Sequence, residues 1–120
     1  MIKKKTRTFL ENHPNIIIET GSDKTGNLIS LDNFIHCATK YRNKMEIITG
    51  DGGFDFSVDF NNQEHSIGQL LFAQVIYAVI MQKQGGSFIL KTFDCFMQHT
   101  LDILAILSSF YEKVYVTKPQ

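Results

Sequence analysis

Two short apolar runs, Met45-Glu46-Ile47-Ile48-Thr49 and Phe88-Ile89-Leu90, stand on either side of a long stretch, Ser66 to Gln84. Within that stretch Ile67, Leu70, Leu71, Val75, Ala78 and Val79 recur at helical spacing. Short runs of β-branched and aromatic residues suit strands, whereas the three-to-four spacing gathers apolar side chains on one face of a helix. A strand, a helix of this length and a second strand read as a parallel pair joined by a right-handed crossover. That unit sets the class as α/β with an open sheet, in which ligands bind beyond the carboxyl ends of the strands.

The other segments are read in the same way. Asn15-Ile16-Ile17-Ile18-Glu19 is expected to be a strand, and the polar GSDKTGN at 21–27 a loop. A short helix follows, with Asp32 as its N-cap and Phe34, Ile35, Ala38 and Tyr41 at helical spacing up to about Asn43. Gly50-Asp51-Gly52-Gly53 ends the next strand in a loop open enough to let another molecule approach the backbone, and Gly85-Gly86 is expected to stop the long helix. Gln98 to Phe110 reads as a helix with Leu101, Leu104 and Leu107 on one side, and Lys113-Val114-Tyr115-Val116-Thr117 as a last strand before Pro119.

The 120 residues suffice for one domain with a real core. Net charge is zero, but Lys3, Lys4, Lys5 and Arg7 crowd a basic N-terminal segment at 1–14, while Glu46, Asp51, Asp55, Asp59 and Glu64 lie in a stretch without a basic residue. Global charge therefore does not announce nucleic-acid binding, and the lysine-rich start reads as a solvated tail that could also meet phosphates. No apolar run reaches the roughly 18 residues of a membrane span, and no signal-type apolar region follows the basic start, so no membrane partner and an intracellular protein are expected. Cys37 and Cys95 match no zinc spacing, and His13, His36, His65 and His99 form no ligand pair with them, which argues for a reduced chain without a metal site.

Lys91 ends the Phe88-Ile89-Leu90 run where a turn residue is usual. An ammonium at the edge of an apolar core must reach water or find an anion. Asp51 follows the preceding strand, so in a parallel sheet the two emerge at one rim as an opposite-charge pair. By themselves they admit a plainer account, in which Lys91 snorkels to solvent and Asp51 caps a turn.

DGGFDFS (51–57), NNQE (61–64), the helix with Gln69 and Gln74, GGSFILKTFD (85–94) and VTKP (116–119) together resemble the FtsJ/RrmJ-type ribose 2′-O-methyltransferases. Within that family they are most similar to the branch that methylates the first nucleotides of capped mRNA. The resemblance spans 21–119 in order and implies a Rossmann-like open sheet with helices on both faces, S-adenosylmethionine as cofactor and RNA, specifically capped mRNA, as partner. It makes Asp51 the aspartate and Lys91 the second lysine of the family's Lys-Asp-Lys-Glu tetrad, with Lys91 deprotonating or orienting the ribose 2′-hydroxyl. Gly26-Asn27-Leu28 matches the step that contacts the adenosine side of the cofactor, with Asn27 where an acid is usual. Cofactor contacts are thus expected from Asn27, Leu28 and Asp51, and a substrate contact from Asn61, although Asn27 and Asn61 are equally readable as plain loop asparagines.

The family's glycine-rich first cofactor loop and first lysine lie upstream of the GSDKTGN region, and its final glutamate follows a Ser-Arg-Pro-like segment. By this resemblance, residues 1–120 are expected to be the middle and later part of one such domain, incomplete for catalysis. An incomplete sheet exposes apolar faces and unpaired edges, so self-association or a covering partner domain is expected. The alternative is a noncatalytic RNA-binding or scaffolding module that keeps the fold without the chemistry. Heavy Lys, Ile and Asn usage suits an A/T-rich source such as a large DNA virus; the expected location is the cytoplasm, within a viral factory or virion if the source is viral, or the nucleus.

Overall fold

The computed structural model describes residues 4–52, 63–92 and 98–119. In chain order the elements are helix α1 (Lys4–Glu11), helix α2 (Leu31–Tyr41), strand β1 (Met45–Gly50), helix α3 (Gln63–Met81), strand β2 (Gln82–Leu90) and helix α4 (Gln98–Phe110). β1 and β2 pair in parallel, with Ile47 opposite Ser87, Ile48 opposite Phe88, Thr49 opposite Ile89 and Gly50 opposite Leu90. The βαβ unit expected from the apolar pattern is present.

The core lies where α3 and α4 cover one face of this pair. Leu71 and Val75 of α3 meet Ile103 and Leu107 of α4, and Phe88 and Leu90 pack against them from β2. Strand alternation sends the intervening side chains the other way, so Ile47 and Ile89 are 70% and 64% exposed on an open face. In α4 the buried positions are Thr100, Ile103 and Leu107, whereas Leu101, expected on the inner side, is half exposed.

Several expected boundaries differ. The basic start is a helix over Lys4–Glu11 with no buried residue, held by local bonds such as Arg7–Glu11 (3.5 Å) and the Thr8 hydroxyl on the Lys4 carbonyl (3.2 Å). α2 is capped by Ser30, whose hydroxyl accepts the Asn33 N–H, and Asp32 falls inside the first turn, where a carboxylate complements the helix dipole. Residues 15–19 and 113–117 form no strand. Ile17, Tyr115 and Val116 are exposed there, and no described strand offers the backbone partners that β-prone residues need.

The long helix ends at Met81, before Gly85-Gly86. The carbonyls of Ile80 and Met81 accept the N–H groups of Asn43 and Lys44, so the α2–β1 connection caps α3 from outside. Gly85 and Gly86 instead belong to an irregularity in β2, between the rungs Met45–Gln82 and Ile47–Ser87. Gly85 takes φ +84°, and a Cβ on Gly86 would collide with the Glu46 carbonyl and the Gln82 amide. Gln82 fastens this stretch by donating to the Glu46 and Ser87 carbonyls and accepting from the Tyr111 hydroxyl.

Candidate active site

The rung Gly50–Leu90 is the last of the ladder, and the Lys91 N–H still donates to the Gly50 carbonyl at 2.9 Å. The next residues, Asp51 and Lys91, therefore leave the two carboxyl ends side by side. Parallel neighbours run about 4.8 Å apart, a gap that a lysine and an aspartate span with ease. Lys91 Nζ lies 3.3 Å from Asp51 Oδ1. Both side chains are mostly exposed, and so open a pair contributes about 1 kcal/mol at most to stability. Lys91 reaches solvent, as the plainer account has it, and does so beside the Asp51 carboxylate. An accessible amine beside a carboxylate can orient a hydroxyl group and accept its proton once uncharged, while the carboxylate can attract a ligand bearing positive charge.

The Asp51 turn is held from below by Gln74 of α3, whose Oε1 accepts the Gly52 N–H at 2.8 Å. Sequence reasoning picked out Gln74 only as part of a resemblance; an amide on the apolar face of a helix is the signal that points to a buried partner.

The segment before α2 is organised around Asn33, which is 2% exposed and which the sequence reading missed. Its Oδ1 accepts the Ser22 hydroxyl and the Asp23 N–H, both at 3.2 Å, while its Nδ2 donates to Asp23 Oδ1 at 2.9 Å and to the Asn27 carbonyl at 3.0 Å. Gly21, at φ +81°, comes so near that a Cβ there would overlap the Asn33 amide. The Thr25 hydroxyl and N–H, followed by the Asn33 amide, hold the Asp23 carboxyl below its usual range. Asn27 is exposed and its Oδ1 accepts the Ile29 N–H at 3.0 Å, while Leu28 is half-buried.

Glu19 ties the preceding segment to α2. Its carboxylate accepts the Gly21 N–H (3.0 Å), the Tyr41 hydroxyl (2.8 Å) and the Lys40 ammonium (3.1 Å), with His36 Nε2 at 3.2 Å. Those bonds, led by the Gly21 N–H, bring its pKa down to about 2.

Of the residues singled out from sequence, Asp51 and Lys91 are brought together. Asn27 and Leu28 sit on a separate loop, joined to that pair by no hydrogen bond or ion pair among the described residues. Asn61 and Cys95 lie outside the described residues. No group of three or more His, Cys, Asp or Glu that could hold a metal ion occurs among the described residues. A groove between α2 and α3 is lined by Phe34, Ile35, Ala38, Thr39, Arg42 and Ile80, none of them a candidate site residue.

A sequence profile of the FtsJ-like methyltransferase family matches residues 3–120. Among curated proteins, the chain is 34% identical to "Cap-specific mRNA (nucleoside-2′-O-)-methyltransferase 1" of Trypanosoma brucei brucei over 83% of its own length and 28% of that protein's. It is 31% identical to "Cap-specific mRNA (nucleoside-2′-O-)-methyltransferase 2" of Drosophila melanogaster over 81% of the chain and 14% of that protein. It is also 33% identical to "Probable methyltransferase EP424R" of African swine fever virus over 68% of the chain and 19% of that protein. The chain thus spans well under a third of the length of each of these relatives. No solved structure matches it. The chain belongs to the FtsJ-like methyltransferase family.

Proposed function

We propose that this member of the FtsJ-like methyltransferase family is the middle and later part of a domain that transfers a methyl group from S-adenosylmethionine to a ribose 2′-hydroxyl of RNA, with the 5′ cap region of mRNA as substrate. The observation that carries the reading is the Lys91–Asp51 pair, 3.3 Å apart at the carboxyl ends of adjacent parallel strands. Cap-specific names among the relatives supply the substrate class.

The residues present suit this chemistry in kind. Asp51 offers a carboxylate at the rim, where a sulfonium-bearing cofactor brings positive charge, and Asn27 and Leu28 stand on the loop assigned to its adenosine side. S-adenosylmethionine, when bound, supplies an electrophilic methyl group. Lys91 Nζ, steadied by Asp51, would position the 2′-hydroxyl and, in its uncharged form, take its proton as the oxygen–methyl bond forms and the sulfur–methyl bond breaks, the neutral thioether leaving. Asn61 is assigned to the RNA. The open face bearing Ile47 and Ile89 supports a further element of the reading, that additional polypeptide covers the sheet in the whole enzyme.

Tritiated methyl transfer to capped RNA by the intact protein tests the proposal. Lys91→Ala is expected to lower kcat by roughly a hundredfold or more, the scale of general-base catalysis. Lys91→Arg keeps the charge and the contact with Asp51 but is also expected to be inactive, because a guanidinium stays protonated. Wild-type rates in either variant would defeat the assignment of Lys91 as the base. RNA binding without methyl transfer by the wild-type protein would favour the noncatalytic module.

A further inference from the structure

Gln74 lies on α3 between the buried Leu70, Leu71, Val75 and Ala78, and its own side chain is buried with them. A primary amide in such a place gives up hydration, a loss made good only if its polar ends find partners. Both ends do. Nε2 donates to the Leu70 carbonyl one turn back at 3.2 Å, and Oε1 accepts the Gly52 N–H at 2.8 Å. The two bonds agree on one orientation of the amide: Nε2 faces the Leu70 carbonyl, as a second donor beside the helix bond, and Oε1 faces the Gly52 N–H. A flipped amide would oppose oxygen to oxygen at Leu70 and N–H to N–H at Gly52.

The two glycines that flank Asp51 show how closely this amide lies beneath it. A Cβ on Gly50 would stand 2.9 Å from Gln74 Oε1 and 2.9 Å from Leu90 Cδ1, and one on Gly52 would stand 3.1 Å from Gln74 Cδ and Oε1. Asp51 is therefore suspended between two fixed points. On one side the Gly50 carbonyl is bound by the Lys91 N–H, and on the other the Gly52 N–H is bound by Gln74. The peptide on either side of Asp51 determines where its carboxylate leaves the backbone, and so whether it meets Lys91 Nζ.

We infer that Gln74 is the positioning residue of the Asp51–Lys91 pair, acting from the core through the Gly52 N–H and touching neither substrate nor cofactor. The catalytic consequence rests on the methyl-transfer reading above; the placement of the Asp51 turn does not. Gln74→Met preserves most of the volume and removes both bonds. In the intact protein it is expected to keep the fold by circular dichroism, to speed hydrogen exchange at the Gly52 amide roughly tenfold or more, and to lower kcat roughly tenfold to a hundredfold. Gln74→Glu provides the second variant. Its carboxylate still accepts the Gly52 N–H but sets an oxygen against the Leu70 carbonyl, and protonation restores the donor. Its kcat relative to wild type is therefore expected to rise as pH falls, a profile that a general loss of folded protein does not produce.

Gly52 exchange as slow in Gln74→Met as in wild type overturns the inference, and so does an unchanged kcat in that variant. If the wild-type protein transfers no methyl group to any RNA, the functional reading falls and Gly52 exchange alone decides the placement: faster exchange in Gln74→Met upholds it, equal exchange overturns it.

Discussion

Replacing Asn33 by alanine removes the side-chain bonds to Ser22, Asp23 and Asn27 that fasten the 21–27 loop to α2. A neutral bond of this kind contributes about 0.5–1.5 kcal/mol net, and more where one partner is charged. Ser22, Asp23 and Asn27 are exposed, so water replaces the amide at each of them once the loop lifts. Allowing for that exchange, the loss is about 3 kcal/mol, the upper part of the range for a substitution that breaks a buried polar network. The loop's remaining ties are short-range, among them the Gly26 N–H on the Thr20 carbonyl at 2.8 Å and the Thr25 bonds to Asp23. It is therefore expected to open locally rather than to drag the core with it.

Native-state hydrogen exchange at the Gly26 amide reads that opening. With about 1.4 kcal/mol to each factor of ten, the expected acceleration in Asn33→Ala is roughly a hundredfold, while the urea midpoint of the core moves much less. Asn33→Asp separates bonding from shape. It puts a carboxylate oxygen where Nδ2 faced Asp23 Oδ1 and the Asn27 carbonyl, so attraction becomes repulsion at neutral pH and returns as the carboxyl groups take up protons. Equal Gly26 exchange in wild type and Asn33→Ala would refute the reasoning, because it would mean that the loop conformation is dictated by its own turns.

Other expected outcomes concern the core and the acid limb of stability. Glu19 titrates near 2 in the folded chain against a model-peptide value of 4.5, so between those values the unfolded state holds the extra proton. Its contribution is thus complete above about 4.5 and lost as pH falls towards about 2. Urea midpoints taken across that window should fall with pH in wild type and fall less steeply in Glu19→Gln. Val75 is 0% exposed, and Val75→Ala removes two methyl groups from the centre of the α3–α4 core. At roughly 0.8 kcal/mol per buried carbon plus a cavity term, it should cost about 2–3 kcal/mol, read as a lower urea midpoint with an unchanged slope.

How far sequence reaches into this structure depends on whether a feature is local or needs a distant partner. The βαβ unit was legible because the periods of its strands and of α3 are written in consecutive residues, and parallel pairing then brings Asp51 and Lys91 to one rim whatever the detail of the sheet. Ile16–Ile18 and Val114–Val116 carry the same β-branched character yet form no strand, since propensity becomes a strand only beside another backbone. Gly85-Gly86 looks like a helix stop, but the carbonyls of Ile80 and Met81 are capped by Asn43 and Lys44, residues that lie in a different connection. Asn33 and Gln74 were hidden for a related reason. Each is an amide within a helix, and although the apolar neighbours of Gln74 mark it as inward-facing, nothing local says which loop supplies the partner. Their environments separate them from ordinary helix amides, because burial without bonds would be costly, and each one's bonds lead to a loop bearing candidate site residues. The groups assigned to chemistry therefore follow from strand order, while the groups that hold them still follow from an accounting of buried hydrogen bonds.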